Sequence, residues 1–340
     1  TISGALEEGV ITPQDTFFCD GGEQVEDYYI NCHAHEYGGH GTLDLSGALE
    51  KSCNDALMQI AAKEGVEMFD KYQILFGFGQ STNVDLPGEP GDSSLSTLVY
   101  HASNMHAVEL ATSSFGQGVT TSMMQVATAF SSAINGGYYY EPSVVQRIED
   151  DNGNIVENRD PVLVRRTISE DVSAEMRQFL TSVVTDGTGK KAAVEGYEIG
   201  GKTGTAEKLP RGNGKYILSF IGFAPANDPQ VVIYVVADEP ELQSGSGEAA
   251  YLFSDIAEAI FPYLNIYKTD ETYDIDAATA EDEPATPIYD GAAPANDVAG
   301  GADNPYVEES EGATTEAATE ETTESTETTT EATTEGPPAE

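Results

Sequence analysis

The sequence predicts an α+β fold in which an antiparallel sheet is covered by helices, and three observations carry that expectation. Helical apolar spacing recurs through the first half of the chain, three strand-like apolar runs cluster between 198 and 240, and one further amphipathic helix follows them. Helices, then consecutive strands, then a helix to cover them is the order expected of segregated α+β packing.

Taken in order, Ile2, Ala5 and Leu6 share a helical face, and Gly9 sits where a helix stops. Residues 15–40 are loop-rich, carry Cys19, Cys32, His33, His35 and His40, and end in "GGHG". In "LDLSGALEKSCNDALMQIAAKEG", Leu45, Leu49, Ala56, Leu57, Ile60 and Ala61 recur at spacings of three and four before Gly65. That predicts a helix, interrupted by Ser52 and Asn54. Between 77 and 117 the chain is rich in Gly, Ser, Asn and Pro, a long irregular stretch of the kind that tends to serve a function.

"TTSMMQVATAFSSA", 120–133, reads as helix closed by the "NGG" after it. "YYY" at 138–140 reads as strand. Ser169, with Glu170 and Asp171, opens a helix along Val172, Met176, Phe179, Leu180 and Val183, because acids favour the positive amino end. It ends in "TDGTGKKA". The strand "EIGGKTGTAEK" and the runs "YILSFIGFAPA" and "QVVIYVVADEP", the last two joined by a short Pro and Asn/Asp turn, form an expected antiparallel meander. Ala249, Phe253, Ile256, Ala257, Ile260 and Leu264 make one stripe of a closing helix. No internal repeat is present.

Charge divides the chain. Of 59 acids, 21 fall in 269–340, a segment without lysine or arginine and filled with Thr, Ala, Pro and Gly, so a disordered acidic tail is expected there. Residues 1–268 keep 38 acidic against 15 basic residues, a net charge of −23, and are expected to hold the core. Nucleic acid is excluded as a partner, because no cluster of lysine and arginine could displace counterions from phosphates. The longest apolar run, "VVIYVVA", is strand-sized, well short of the roughly 18 residues that span a bilayer. The chain opens at Thr1 within helical spacing and without methionine, so it is expected to lack its own beginning, and absent targeting signals carry no information.

The strand at 198–208 sets Gly200, Gly201 and Gly204 around Lys202. Glycine costs strand propensity but lets another backbone approach, which points to a ligand lying along the strand. "KTGT" at 202–205 and "SCN" at 52–54 are the second and third of three signatures of serine penicillin-recognising enzymes. With the flanks "GGHGTLDLSGALEKSCNDALMQIA", "SFGQGVTTSMMQVATAFSSAINGG", "GGKTGTAEK" and "SFIGFAPA", residues 1–267 resemble the transpeptidase domain of class B penicillin-binding proteins, the division and sporulation cell-wall enzymes. The bland readings are an ordinary glycine-containing strand with an exposed lysine and a helix cap at Ser52 or Asn54; the order and flanks of the two motifs favour the resemblance.

The resemblance implies a penicillin-binding protein/serine β-lactamase-like fold and serine acyl transfer from D-alanyl-D-alanine stem peptides, with β-lactams as mimics. It assigns Ser52 to proton relay and Asn54 to a substrate amide and the orientation of a catalytic lysine. Lys202 supplies a fixed charge beside Ser52 and the substrate carboxylate, which the Thr203 hydroxyl also binds. The Thr205 backbone N–H is an oxyanion donor, and the glycines, Gly204 among them, admit the peptide by strand addition.

The first signature, a serine three residues ahead of a lysine, is missing at all nine lysines. The nucleophile and its base are therefore expected ahead of Thr1, and this chain alone is expected to be inactive. The resemblance further implies the extracytoplasmic face of the bacterial membrane, an anchor outside this sequence, partners in the division or sporulation machinery, and no cofactor or metal. Rival readings are a carboxypeptidase, β-lactamase or β-lactam sensor of the same superfamily, or an inactive scaffold.

Cys19 and Cys32 suit a disulfide in an extracytoplasmic domain, with a redox-regulated pair as its sharper form. Zinc on Cys32, His33, His35 and His40 is the rival, set aside because the spacing fits no common finger, and free thiols remain open. Cys53 reads as a small buried filler.

Overall fold

The computed structural model describes residues 1–210, 212–241 and 247–269. Beyond Thr269, the acidic segment expected to be disordered lies outside the described residues. Nine α-helices are found among them: α1 (Ile2–Glu7), α2 (Leu45–Glu50), α3 (Asn54–Glu64), α4 (Val66–Leu75), α5 (Asp92–Leu95), α6 (Ala107–Ser114), α7 (Met123–Ile134), α8 (Glu170–Thr185) and α9 (Gly247–Ile260). The strands are β1 (Phe17–Cys19), β2 (Gly22–Val25), β3 (Tyr28–Asn31), β4 (Gly41–Leu43), β5 (Tyr138–Tyr140), β6 (Arg147–Glu149), β7 (Ile155–Asn158), β8 (Leu163–Arg166), β9 (Gly200–Glu207), β10 (Tyr216–Ala224) and β11 (Val231–Asp238).

The expected meander is the central sheet, antiparallel in the order β11-β10-β9. Its register runs from Ile217 opposite Asp238 to Ala224 opposite Val231, and from Tyr216 opposite Glu207 to Phe223 opposite Gly200. Both faces are covered. The α9 stripe of Ala249, Ala250, Phe253 and Ala257 is buried, with the Phe253 ring edge-on to Phe220 at 4.8 Å between centroids. On the other side Phe223 meets Phe130 of α7 at 6.0 Å and packs with Ile134 and Leu180. Burying one such aromatic side chain stabilises the fold by about 1.5–3 kcal/mol.

A second core lies among the helices, formed by Ile2, Ala5, Leu45, Ala48, Leu49, Ile60 and Met176 with Phe17, Cys19 and Cys32. Helix α8 joins the two cores through adjacent residues, since Val183 packs in the helical core and Val184 in the sheet core. Ser169 caps α8 as expected, its hydroxyl accepting from the Val172 N–H. The Glu7 carboxylate then accepts from the Ser169 N–H at 2.8 Å and its hydroxyl at 2.7 Å, docking α1 at the positive end of α8.

Three expectations are refined. The helix expected over 43–65 is two helices, α2 and α3, because the chain turns left-handed at Ser52. The loop-rich 15–40 segment holds the ribbon of β2 with β3, and its strand β1 pairs with β4 just beyond it. Strands of three or four residues are too short to show an alternating pattern. The irregular stretch of 77–117 contains α6, opened by a capping box between His106 and Glu109. The "YYY" strand is present as β5, paired with β8.

Candidate active site

Ser52 owes its position to how α2 ends. Its own N–H bonds back to Leu49 O at 3.0 Å and the Cys53 N–H to Ala48 O at 2.8 Å, the paired bonds of a Schellman stop. That stop places the residue after the helix cap in the left-handed region, where glycine is usual, and here serine stands there at φ 50°. A side chain in this conformation costs about 1–2 kcal/mol. Cys53 immediately begins the next helix as its cap, the sulfur accepting from the Ala56 N–H at 3.4 Å, and Asn54 is the first residue of α3, half-buried. The "SCN" triplet is thus a helix stop, a helix cap and a helix start in succession.

Lys202 arrives from the opposite side on β9. Its Nζ donates to Ser52 Oγ at 2.9 Å, to the Thr203 carbonyl at 3.0 Å and to Thr203 Oγ1 at 3.3 Å. Residues 150 positions apart therefore meet in one hydrogen bond. Burial pushes the Lys202 ammonium down to about 8.

A further side chain joins the group that sequence reasoning did not single out. Thr188 Oγ1 lies 3.1 Å from Thr203 Oγ1. It is held there because its N–H bonds to Glu50 O at 2.9 Å, at the end of α2. The preceding Gly187 makes this approach possible, since a Cβ there would stand 2.7 Å from the Glu50 backbone. Ser46 Oγ and Ser182 Oγ, 2.7 Å apart, tie α2 to α8 nearby. The only trace in sequence was a threonine between two glycines in "TDGTGKKA".

The glycines of β9 also have a reason within the fold. Added Cβ atoms at Gly200 and Gly201 would stand 2.4 Å and 2.5 Å from the rings of Phe223 and Phe220, and at Gly204 2.4 Å from Ser219 Oγ. They make room for the protein's own side chains on the strand beside β9, the edge strand of the sheet β11-β10-β9. Thr205 is exposed on the same strand, opposite Leu218.

Chemically, an ammonium, the Ser52 hydroxyl and two threonine hydroxyls converge. Such a group can donate several hydrogen bonds to a carboxylate, and a hydroxyl held by an ammonium can pass a proton to an amine.

The disulfide expected between Cys19 and Cys32 is not formed. All three cysteines are free and buried, and the sulfurs of Cys19 and Cys32 lie 3.6 Å and 3.7 Å from the His40 Nδ1. Of the histidines in the zinc alternative, His33 lies against the His40 ring and His35 against Tyr29.

Residues 1–258 match the penicillin binding protein transpeptidase domain. The chain is 37% identical over 273 residues to stage V sporulation protein D of Bacillus subtilis, covering 78% of this chain and 41% of that protein. It is 30% identical over 280 residues to the probable peptidoglycan D,D-transpeptidase PenA of Neisseria flavescens, covering 79% and 64%. Thus the chain spans less than two thirds of the length of these relatives.

Among solved structures, the apo transpeptidase domain of Burkholderia pseudomallei penicillin-binding protein 3 superposes with a TM-score of 0.68 at 29% identity, covering 79% of this chain and 78% of that one. Penicillin-binding protein 3 of Mycobacterium tuberculosis, solved in complex with aztreonam, gives 0.68 at 27% identity, covering 78% and 61%.

Proposed function

The chain belongs to the penicillin-binding protein transpeptidase family, and from that premise we propose that it is the larger part of a peptidoglycan D,D-transpeptidase active site that also binds β-lactams. The observation that carries this reading is the 2.9 Å bond from Lys202 Nζ to Ser52 Oγ. In the reaction, a serine oxygen attacks the carbonyl of the penultimate D-alanine and the bond from that carbonyl to the terminal D-alanine nitrogen breaks. The departing nitrogen needs a proton, and Ser52 delivers it while Lys202 holds the Ser52 oxygen. An acceptor amine then attacks the ester, its proton leaving by the same hydroxyl, and the serine is released.

The remaining residues follow the substrate's charges. Thr203, with Thr188 beside it and the Lys202 ammonium behind, binds the terminal carboxylate, and Asn54 binds a substrate amide. The Thr205 N–H faces the oxyanion, a donor whose loss costs on the order of 100–1,000 fold in rate. We assign the attacking serine and its lysine to residues ahead of Thr1, because no serine precedes a lysine by three in this sequence. This chain on its own then takes no acyl group.

The likeness to a sporulation protein and a transpeptidase supports work on the cell wall during sporulation or division, outside the cytoplasmic membrane. Among the described residues no helix is long and apolar enough to cross a membrane, and the proposed anchor belongs to a segment outside this sequence.

The test extends the chain with the parent protein's residues ahead of Thr1 and treats it with a fluorescent penicillin. A covalent label on the extended protein, absent from residues 1–340 alone, is the expected outcome. An extended protein that folds and stays unlabelled would favour the scaffold reading instead.

A further inference from the structure

Outside the Ser52–Lys202 group, the cluster of metal-ligating side chains found among the described residues is Cys19, Cys32, Cys53 and His40. Each contributes one ligand atom, and the four atoms all lie within 4.8 Å of one another. We propose that these four residues form a zinc site that clamps the two small ribbons of the 17–43 segment onto the turn carrying Ser52.

The distances suit a shared metal as well as they suit thiol hydrogen bonds. Tetrahedral zinc with Zn–S bonds near 2.3 Å and a Zn–N bond near 2.0–2.1 Å sets sulfurs about 3.8 Å apart and each sulfur about 3.6 Å from the nitrogen. Observed are 3.6 Å and 3.7 Å from His40 Nδ1 to the sulfurs of Cys19 and Cys32, and 4.0 Å between the sulfurs of Cys32 and Cys53. A disulfide would use two of the sulfurs and leave the third cysteine and the imidazole without a role. Three thiols and a nitrogen at these spacings match a closed Cys3His structural site.

The donors come from four places. Cys19 ends β1, Cys32 follows β3, His40 precedes β4 and Cys53 caps α3. The pairing of Cys19 with Gly41 across β1 and β4 brings His40 to Cys19. This explains why the linear spacing matches no finger: the ligands are gathered by strand pairing and a helix stop rather than by a short knuckle. Cys19, Cys32 and Cys53 are at most 1% exposed, so the metal would be shielded from water.

The segment needs such a staple. Its strands are three or four residues long, and isolated two-stranded ribbons are marginal in water. Small loop-rich segments that cannot build enough core are commonly fixed by a structural metal. The Ala56 N–H on the Cys53 sulfur, 3.4 Å away, and the His33 ring at the edge of His40 provide the outer contacts that orient ligands. On binding, the thiols release their protons and three thiolates with neutral imidazole leave the Zn2+ site with one net negative charge.

The site reaches the chemistry through a peptide bond, since Cys53 stands directly between Ser52 and Asn54. Metal on Cys53 fixes the beginning of α3 and with it the left-handed Ser52, so the metal is positioning rather than catalytic.

The test measures zinc in the whole protein, purified with reductant and without chelator, by atomic spectrometry, and replaces it with Co2+. About one zinc per chain is expected, with the intense visible bands and thiolate-to-cobalt charge transfer of tetrahedral Co2+. In Cys19→Ser and His40→Ala, occupancy should fall to less than about one tenth of that in the unaltered protein. Should these variants not fold, the zinc count and cobalt spectrum of the unaltered protein decide alone. Protein that binds no zinc after reduction and Zn2+ supply, gives only the pale spectrum of octahedral cobalt, or carries a Cys19–Cys32 disulfide in place of metal would overturn the proposal.

Discussion

The two ends of the Lys202–Ser52 bond are held by opposite means. Lys202 stands on an extended strand whose place is set by packing far from it: Phe220 and Phe223 fill the space left by Gly201 and Gly200, and helices close over both faces. Ser52 stands on a turn whose place is set by its own neighbours, in a conformation that serine adopts at a cost. The sheet is therefore expected to tolerate local change poorly and the turn to tolerate it well. Function should depend on both residues alike, because the turn's hydroxyl is where the proton is expected to move and the strand's ammonium holds that hydroxyl.

The largest effect expected is on the sheet. Phe253→Ala should lower stability by about 3–5 kcal/mol, read from urea unfolding, since the cavity opens directly beneath Phe220. A loss under about 1 kcal/mol would mean the α9 layer is not what fixes β9.

Next in size is Lys202→Met, expected to slow penicillin acylation of the extended protein on the order of 100–1,000 fold. The same change should stabilise the fold at pH 7 by up to about 3 kcal/mol, because Lys202 is held charged against burial. The sign follows from its folded value of about 8 against 10.5 unfolded: between these pH values the unfolded state holds the proton and the folded state does not, so stability rises with pH across that window. Lys202→Met should flatten that rise, measured as melting temperature against pH. In the unaltered extended protein, acylation should weaken above about pH 8 as the ammonium is lost.

Gly201→Ala comes third. Its Cβ would stand 2.5 Å from the Phe220 ring, and overpacking of this kind costs about 1–3 kcal/mol. Unchanged melting would contradict the packing explanation of the β9 glycines.

The smallest effect is on the turn and separates its strain from its chemistry. Ser52→Gly relieves the left-handed backbone and should be more stable than Ser52→Ala by about 1 kcal/mol. Both variants should lose acylation equally, because both lose the hydroxyl. Equal melting temperatures for the two would remove the strain from the account.

Much of this fold could be read from the sequence where apolar periodicity is long. The α8 stripe from Val172 to Val183 and the 216–238 strands carry enough turns and alternations to identify themselves. The ribbons of β1 to β4 could not, since their pairing is between backbones and not in any side-chain pattern. At the site, "SCN" and "KTGT" were visible as motifs, but Thr188 was not, since its place depends on Gly187 meeting the Glu50 backbone. The packing of Phe220 and Phe223 against the β9 glycines was not legible either, because sequence does not show which rings will face a glycine. Linear spacing hides the cysteine and histidine cluster, because it is assembled by strand register.

The most direct test of the central claim, that Ser52 and Lys202 act as one unit, is a double-substitution cycle on penicillin acylation in the extended protein. Ser52→Ala, Lys202→Met and the pair together should lose nearly the same rate, with a coupling of at least about 1.5 kcal/mol. Losses that multiply, with the double variant slower than either single by the full product, would show that the 2.9 Å bond joins two residues that work independently.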